Sequence, residues 1–171
     1  MSDASYPSTQ STIQAFSAIR EDKLARLLSR WLGIPGLEEV VLVSFAFNPR
    51  LKNGDGPLAR KLELLASSTT VTLITALPQG TEAQNVHARN QRSVFRGLVV
   101  AGVRVLIHDT LHAKVYLFRR GDKVCWVVGS SNLTHGGLSG NTEINVAGYR
   151  IADYREVLSQ VEEIIDGAYP V

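Results

Sequence analysis

The first part of the chain alternates short apolar runs with amphipathic segments, and this alternation limits the possible folds most strongly. Three runs, rich in β-branched and aromatic residues, have the length of buried strands and lie at 39–47, 70–76 and 103–107. Segments with helical character separate them, at 57–66 and 82–101. Strands that alternate with helices favour parallel pairing through helical crossovers. The sequence therefore predicts an α/β fold.

The second half predicts a hairpin, a polar glycine-rich loop, a further strand and a closing helix. These elements are expected at 111–118 and 123–128 for the hairpin strands, 119–122 for the turn, 129–141 for the loop, 143–149 for the strand and 154–165 for the helix. Asp153 has the short polar side chain of an N-cap and is expected to begin that helix. The whole pattern predicts a mixed β-sheet sandwiched between helices.

The N-terminal segment changes character after about ten residues. Residues 1–10 are rich in Ser, Thr and Pro, which is typical of a flexible terminus. Apolar residues then recur every three or four positions from 11 to 32, and this period predicts a helix that Gly33 and Pro35 end. We therefore expect a flexible N-terminus at 1–10 and a single domain at 11–171.

Overall composition is that of an ordinary globular protein, with a hydrophobic fraction of 44% and a charged fraction of 20%. No apolar run approaches the roughly 18 residues that a membrane-spanning helix needs. The N-terminus also lacks the basic start and apolar stretch of a signal peptide. These features predict a cytoplasmic protein without a membrane partner.

The single cysteine, Cys125, limits the covalent and metal chemistry of the chain. An intrachain disulfide and a site with several thiolates from one chain are both excluded. Cys125 lies between Val124 and Trp126, and this apolar setting predicts a buried structural thiol rather than a reactive one. HExxH, Walker and GxGxxG motifs do not occur in the sequence, so we expect neither a metal nor a cofactor.

The basic residues are balanced overall, with a formal net charge of only +2, so a nucleic-acid binder would need local clusters. Two clusters are visible, one formed by Arg89, Arg92 and Arg96, the other by Arg119, Arg120 and Lys123. Either cluster is also compatible with an ordinary solvated surface.

Chemically useful side chains are concentrated between residues 112 and 143. His112 and Lys114 are two positions apart on a predicted strand, so their side chains are expected to share a face. Ser130 and Asn132 have the same spacing where the next strand ends. Glycines follow at 136 and 137 and allow backbone N–H groups to approach an anion closely. Glu143 begins the strand after that loop.

These residue types supply what phosphodiester cleavage needs without a metal. An imidazole at His112 serves as nucleophile or acid, and Lys114 provides a cation for the non-bridging oxygens. Ser130 and Asn132 add neutral donors where charge develops. Glu143 is expected to hold one nitrogen of His112 and so to fix its tautomer.

This arrangement resembles the phospholipase D superfamily, whose signature is H-x-K followed by G-S-x-N. Here the motifs are HAK at 112–114 and GSSN at 129–132, and the stretch SSNLTHGGLSGNTEINV is similar to the downstream pattern, with Glu143 as its acidic residue. The spacings resemble those of the nuclease branch, which includes restriction enzymes with this active site. The resemblance implies a phospholipase D-like fold.

One position departs from the fuller family signature, which has an aspartate where this chain has Arg119. Members of the nuclease branch often lack that aspartate. The departure therefore argues against a typical lipase more than against activity.

Family members use two H-x-K motifs in one active site, and this sequence contains one. The resemblance therefore implies a homodimer with the site on its two-fold axis. In that arrangement His112 of one protomer attacks phosphorus and forms a phosphohistidine, while His112 of the other protonates the leaving oxygen.

Nucleic acid is the expected substrate, with DNA favoured over RNA, and Arg119, Arg120, Lys123 and His135 are candidate contacts to it. A separate target-recognition or helicase subunit is a further candidate partner. Two alternatives stay open. One is a phospholipase or phosphatidyltransferase with an apolar groove beside the histidines, and the other is a non-catalytic nucleic-acid-binding module.

Overall fold

The computed structural model describes residues 14–17, 23–48, 57–77 and 82–171 of the chain. The predicted flexible segment at 1–10 lies outside these ranges. In chain order the elements are β1 (Gln14–Ser17), α1 (Lys23–Leu32), β2 (Glu39–Ser44), α2 (Leu58–Leu65), β3 (Thr70–Thr75), α3 (Glu82–Val100), β4 (Arg104–Ile107), β5 (Lys114–Arg120), β6 (Lys123–Gly129), a π-helical turn (Gly136–Gly140), β7 (Ile144–Gly148), α4 (Ile151–Asp166) and β8 (Tyr169–Pro170).

The strands form one mixed sheet in the order β1-β7-β6-β5-β2-β3-β4-β8. β2, β3 and β4 are parallel neighbours, joined by the crossover helices α2 and α3. β5, β6 and β7 pair in antiparallel fashion on the other side of β2. The predicted α/β fold with a mixed sheet between helices is therefore confirmed.

Both faces of the sheet are covered. Helices α1, α2 and α3 pack on one face, where the buried core includes Leu24, Leu28, Leu42, Leu62, Leu73, Phe95, Tyr116 and Phe118. Helix α4 covers the other face, where the core includes Val41, Val43, Ile74, Leu106, Leu117, Trp126, Tyr154 and Val161. Because successive strand residues point to opposite faces, two covered faces require strands that are apolar throughout.

The predicted hairpin is present, with Arg120 opposite Lys123 across a two-residue turn. Gly121 in this turn has a φ of 56°, a backbone conformation that side chains rarely adopt. The prediction for Cys125 is also confirmed, since the thiol is buried in the core and burial raises its pKa to about 12. No helix within the described ranges combines the length and apolar character needed to cross a membrane.

The helix predicted from 11 to 32 is wrong for the described residues 14–17. Gln14–Ser17 is a strand that pairs with β7, whereas Lys23–Leu32 is the helix α1. Backbone hydrogen bonds to an open sheet edge outweigh the local apolar period in so short a segment.

The predicted N-cap of the last helix is also wrong. Helix α4 begins at Ile151, so Asp153 lies in its first turn and Arg150 occupies the N-cap position. The Asp153 carboxylate is 3.9 Å from the Arg150 guanidinium, and a negative charge in a first turn still complements the helix dipole.

Candidate active site

The strand directions bring the predicted site residues to one edge of the sheet. β5 is antiparallel to both β2 and β6, so the start of β5 lies beside the ends of β2 and β6. The register places Lys114 opposite Ser44 and Gly129 opposite Asn145. The five catalytic candidates all adjoin these strand ends, and they are His112, Lys114, Ser130, Asn132 and Glu143.

His112 and Lys114 lie together at this edge, although the strand predicted from 111 begins only at Lys114. β5 starts at Lys114, and His112 occupies the segment just before it. The Lys114 ammonium donates a hydrogen bond to the His112 carbonyl oxygen at 2.6 Å. The ring of Phe45 lies 5.9 Å from the His112 ring and 5.9 Å from Lys114 Nζ. One aromatic ring therefore contacts both side chains.

The two residues differ in their access to solvent. His112 is exposed, whereas Lys114 has only 6% of its surface exposed. Burial lowers the pKa of the Lys114 ammonium below its usual range, and the Glu143 carboxylate opposes that shift. An accessible imidazole thus lies beside a partly desolvated cation, in surroundings where an anion is held more strongly than in bulk water.

Glu143 is paired with Ser130 at the same edge. The Ser130 hydroxyl donates to Glu143 Oε2, and Asn141 Nδ2 donates to Oε1 at 3.2 Å. The backbone N–H of Ile144 donates to Ser130 Oγ at 3.1 Å. The carboxylate therefore positions the serine hydroxyl, which the sequence did not predict. The expected bond from Glu143 to His112 stays a prediction.

Asn132 is anchored to the end of β2. Its Oδ1 accepts from the backbone N–H of Ala46 at 3.2 Å, and Ser44 Oγ lies 3.5 Å from the same oxygen. Ser44 Oγ also accepts from the backbone N–H of Leu133 at 2.9 Å. With its oxygen held on this side, the donating Nδ2 branch of the Asn132 amide is directed away from β2.

Two motif glycines allow close backbone packing around these side chains. A Cβ at Gly129 would overlap Asn145, and a Cβ at Gly137 would overlap the backbone of Asn132. Any larger residue at either position would displace a strand end or the Asn132 backbone.

A buried polar network behind the site was not predicted. Asn145 Nδ2 donates to Ser131 Oγ at 2.7 Å, and the Tyr116 hydroxyl donates to the Ser131 carbonyl oxygen. All three residues are fully buried, and burial raises the pKa of Tyr116. These bonds fix the GSSN segment to β5 and β7. The only sequence signal for this network is that Ser131 and Asn145 are polar residues next to apolar ones.

The basic turn lies far from this edge, at the other end of the hairpin, and its contact with nucleic acid stays a prediction. β5 has seven residues, and at about 3.3 Å per residue the turn is roughly 20 Å from Lys114. Arg119 also forms ion pairs with Glu38 at 3.0 Å and Glu39 at 3.4 Å. His135, in contrast, is exposed and lies in the loop that follows Asn132.

The described residues contain no group of three or more His, Cys, Asp or Glu side chains placed to hold a metal ion.

Comparisons with known proteins agree with this geometry. A family model described as "Cardiolipin synthase, PLD-like domain" matches residues 39–167. No curated protein matches the sequence. Among solved structures, the fold resembles the phospholipase D family member Nuc from Salmonella typhimurium, with a TM-score of 0.68, 13% identity and coverage of 94% of this chain and 97% of that one.

Two further structures share the fold. NucT from Helicobacter pylori has a TM-score of 0.68 and 16% identity, over 93% of this chain and 98% of that one. Phosphatidylserine synthase from Haemophilus influenzae Rd KW20 has a TM-score of 0.64 and 13% identity, over 93% of this chain and 40% of that one. The extent of the family match, together with the H-x-K and G-S-x-N residues at one sheet edge, shows that the chain belongs to the phospholipase D-like family.

Proposed function

We propose that this protein is a metal-independent nuclease that hydrolyses phosphodiester bonds, in DNA rather than RNA, through a phosphohistidine at His112. The observation that carries the proposal is the meeting of an exposed imidazole, a buried ammonium and the GSSN segment at one sheet edge. A phosphodiester needs an accessible nucleophile and fixed positive charge for its non-bridging oxygens, and this edge offers both.

The reaction proceeds in two displacements. In the first, a nitrogen of His112 attacks phosphorus, a P–N bond forms, the P–O bond to the leaving nucleoside breaks, and a second imidazolium protonates the leaving oxygen. In the second, water attacks phosphorus, the P–N bond breaks, and the second imidazole takes the proton from water. The second imidazole thereby regains the proton that it donated, and the net reaction consumes one water molecule.

The neighbouring side chains stabilise charge on phosphorus-bound oxygens. Lys114 supplies a cation, and the Nδ2 group of Asn132 supplies a neutral donor in a fixed orientation. Ser130 donates to Glu143 in the free protein, so its hydroxyl must rotate to reach a phosphate. Glu143 also favours the charged form of Lys114.

The second imidazole is supplied by another copy of the chain in a homodimer. His112 is exposed at the sheet edge, as this arrangement requires. Two apolar side chains at the same edge are also exposed, Val128 by 40% and Ile144 by 67%. Exposed apolar residues that flank a site support contact with a partner surface.

A groove at the opposite edge supports a second contact with long nucleic acid. Arg30, Arg120 and Lys123 line a groove of about 710 Å³ together with Asp122, so cations outnumber carboxylates there. None of these three cations forms an ion pair within the described ranges. Contacts of this kind hold the phosphate backbone without reading sequence. His135 remains a candidate contact beside the active site.

One observation favours a lipid substrate as the second candidate. An apolar cleft is lined by Phe45, whose ring contacts that of His112, and by Phe47 and Leu77. An apolar groove in this position is what a phospholipase or phosphatidyltransferase would need.

One experiment separates nuclease, lipase and non-catalytic binding module. The pure protein is incubated with chelator and plasmid DNA, single-stranded DNA, RNA or phospholipid vesicles, alongside His112→Ala and the exposed control Leu64→Ala. We expect DNA cleavage that His112→Ala reduces by at least about 10²-fold and that Leu64→Ala leaves intact. Cleavage of vesicles alone would favour the lipase. Binding without cleavage by the wild type, or full activity of His112→Ala, would contradict the proposal.

A further inference from the structure

We propose that the cleft beside His112 binds the planar base of a nucleotide adjoining the scissile phosphate, with the ring of Phe45 as the stacking surface. The inference rests on the proposed nuclease function and adds the part of the substrate that the protein recognises beyond the phosphate. It also assigns the apolar cleft to a base instead of to an acyl chain.

The position of the cleft connects it to the candidate active site. It has a volume of about 460 Å³ and lies beyond the ends of β2, β3 and β4, because Phe45, Ala76 and Asp109 line it and follow these strands. A crevice outside the carboxyl ends of parallel strands is a common place for ligands in open α/β sheets. A group bound there would be next to a phosphate held by His112 and Lys114.

Phe45 is placed as a fixed and accessible surface. Phe45 is 45% exposed. Its backbone is nevertheless held in place, because its carbonyl oxygen accepts a hydrogen bond from Ala76 N–H at 3.3 Å and the next N–H, that of Ala46, donates to Asn132. The ring lies 5.9 Å from both the His112 ring and Lys114 Nζ. A flat group stacked on Phe45 would therefore be within one nucleotide of the reacting phosphorus.

The polar groups of the cleft suit a base better than an acyl chain. Asp109 contributes an exposed carboxylate, whose Oδ1 accepts from the Tyr169 hydroxyl at 2.8 Å. Gln91 Nε2 donates to the Phe47 carbonyl oxygen at 2.9 Å. The side-chain oxygen of Gln91 is therefore directed away from Phe47 and can accept a hydrogen bond. Both residues offer acceptors, which match N–H groups on base edges and have no counterpart on a hydrocarbon chain.

The test uses dinucleotides that contain a single phosphodiester and analogues in which one base, on either side, is replaced by an abasic sugar. Initial rates are measured for the wild type, Phe45→Ala, Phe45→Trp and the control Leu64→Ala, an exposed apolar residue on α2. Because stacking on one base contributes about 1–3 kcal/mol, kcat/KM of the wild type should be about 5- to 150-fold higher with the base than without it. Phe45→Ala should abolish this preference, and Phe45→Trp should keep it.

The possible failures are distinguishable. Equal rates on intact and abasic dinucleotides by the wild type, or an unchanged preference in Phe45→Ala, would overturn the base site and leave the nuclease standing. A wild type that cleaves no dinucleotide but hydrolyses vesicles, with Phe45→Ala impaired in that reaction, would assign the cleft to lipid and overturn both proposals. Melting temperature serves as the folding check, because removing an exposed ring leaves no internal cavity.

Discussion

At the scale of single residues, the electrostatics of Lys114 depend on one carboxylate. Burial lowers the pKa of the Lys114 ammonium, and Glu143 raises it again. A lysine with a lowered pKa loses its proton at a lower pH than a free lysine does, so it contributes to the alkaline limb of a pH–rate profile. The mechanism also needs one neutral and one protonated imidazole, so the profile should be bell-shaped, and deprotonation of Lys114 adds to the loss of rate on its alkaline side.

Glu143→Gln should therefore move the alkaline limb to lower pH. The amide removes the negative charge that favours protonated Lys114, so the ammonium deprotonates earlier as pH rises. The measurement is kcat/KM against pH. Ser130→Ala is the matched control, since it removes the hydrogen bond to Glu143 and keeps the charge. An alkaline limb that stays in place, or shifts equally in both variants, would contradict this assignment.

At the scale of strands and helices, the sequence predicted the regular elements and missed those formed by long-range pairing. β2, β3 and β4 are strongly apolar, and the helices between them have their own periodic pattern. The local sequence was therefore sufficient to predict these strands and helices. The helix predicted over β1 is wrong because the strand is formed by pairing with β7, more than a hundred residues further along the chain. Local propensity contains no information about such a partner.

The same distinction applies to the candidate site. The H-x-K and G-S-x-N motifs could be located from their residues and their resemblance to the family signature. The anchors of that site could not, because Ser44 meets Asn132 across 88 positions and Ser131 meets Asn145 across 14. The basic turn belongs to the same hairpin as Lys114, and the length of β5 separates the two.

Asn145→Ala tests whether the buried network holds the GSSN segment. The substitution removes the donor to Ser131 Oγ and leaves buried polar groups without a partner, so the free energy of unfolding should fall by about 1–3 kcal/mol. Urea denaturation followed by circular dichroism measures the change. The exposed residue Ser159, whose hydroxyl donates to the Glu156 carbonyl oxygen in its own helix, provides the control Ser159→Ala. Equal stability of the two variants would show that the network does not support the segment.

At the scale of the whole molecule, positive charge lies at both ends of the strands. Lys114 is at the edge with the candidate active site, and Arg30, Arg120 and Lys123 line the groove at the opposite edge. Reversing two charges in Arg120→Glu/Lys123→Glu should weaken binding of long DNA. The slope of log K against log salt concentration should become less steep by about 0.9 for each lost phosphate contact. Binding is measured by fluorescence anisotropy at several salt concentrations. All proteins compared also carry His112→Ala, which prevents cleavage of the DNA. Arg104→Glu/Arg155→Glu has the same total charge change at exposed positions outside the groove. Similar losses in both double variants would mean that the groove has no special role.

The homodimer is a second property of the whole molecule. Ile144→Glu puts a charge on an exposed apolar residue at the edge that carries the site, so it should shift the protein toward monomer and reduce cleavage in parallel. Sedimentation velocity over a concentration range measures the first effect and initial rates the second. Leu64→Glu makes the same kind of change on α2 and should alter neither. An active monomer would refute the shared site.

The central claim is that His112 acts as the nucleophile, and the configuration at phosphorus tests it most directly. A phosphodiester that is chiral at phosphorus through sulfur and labelled oxygen is hydrolysed by the wild-type protein, and the configuration of the product is determined. Two in-line displacements, first by His112 and then by water, predict overall retention. Inversion would mean that water attacks the substrate directly, and it would contradict the account.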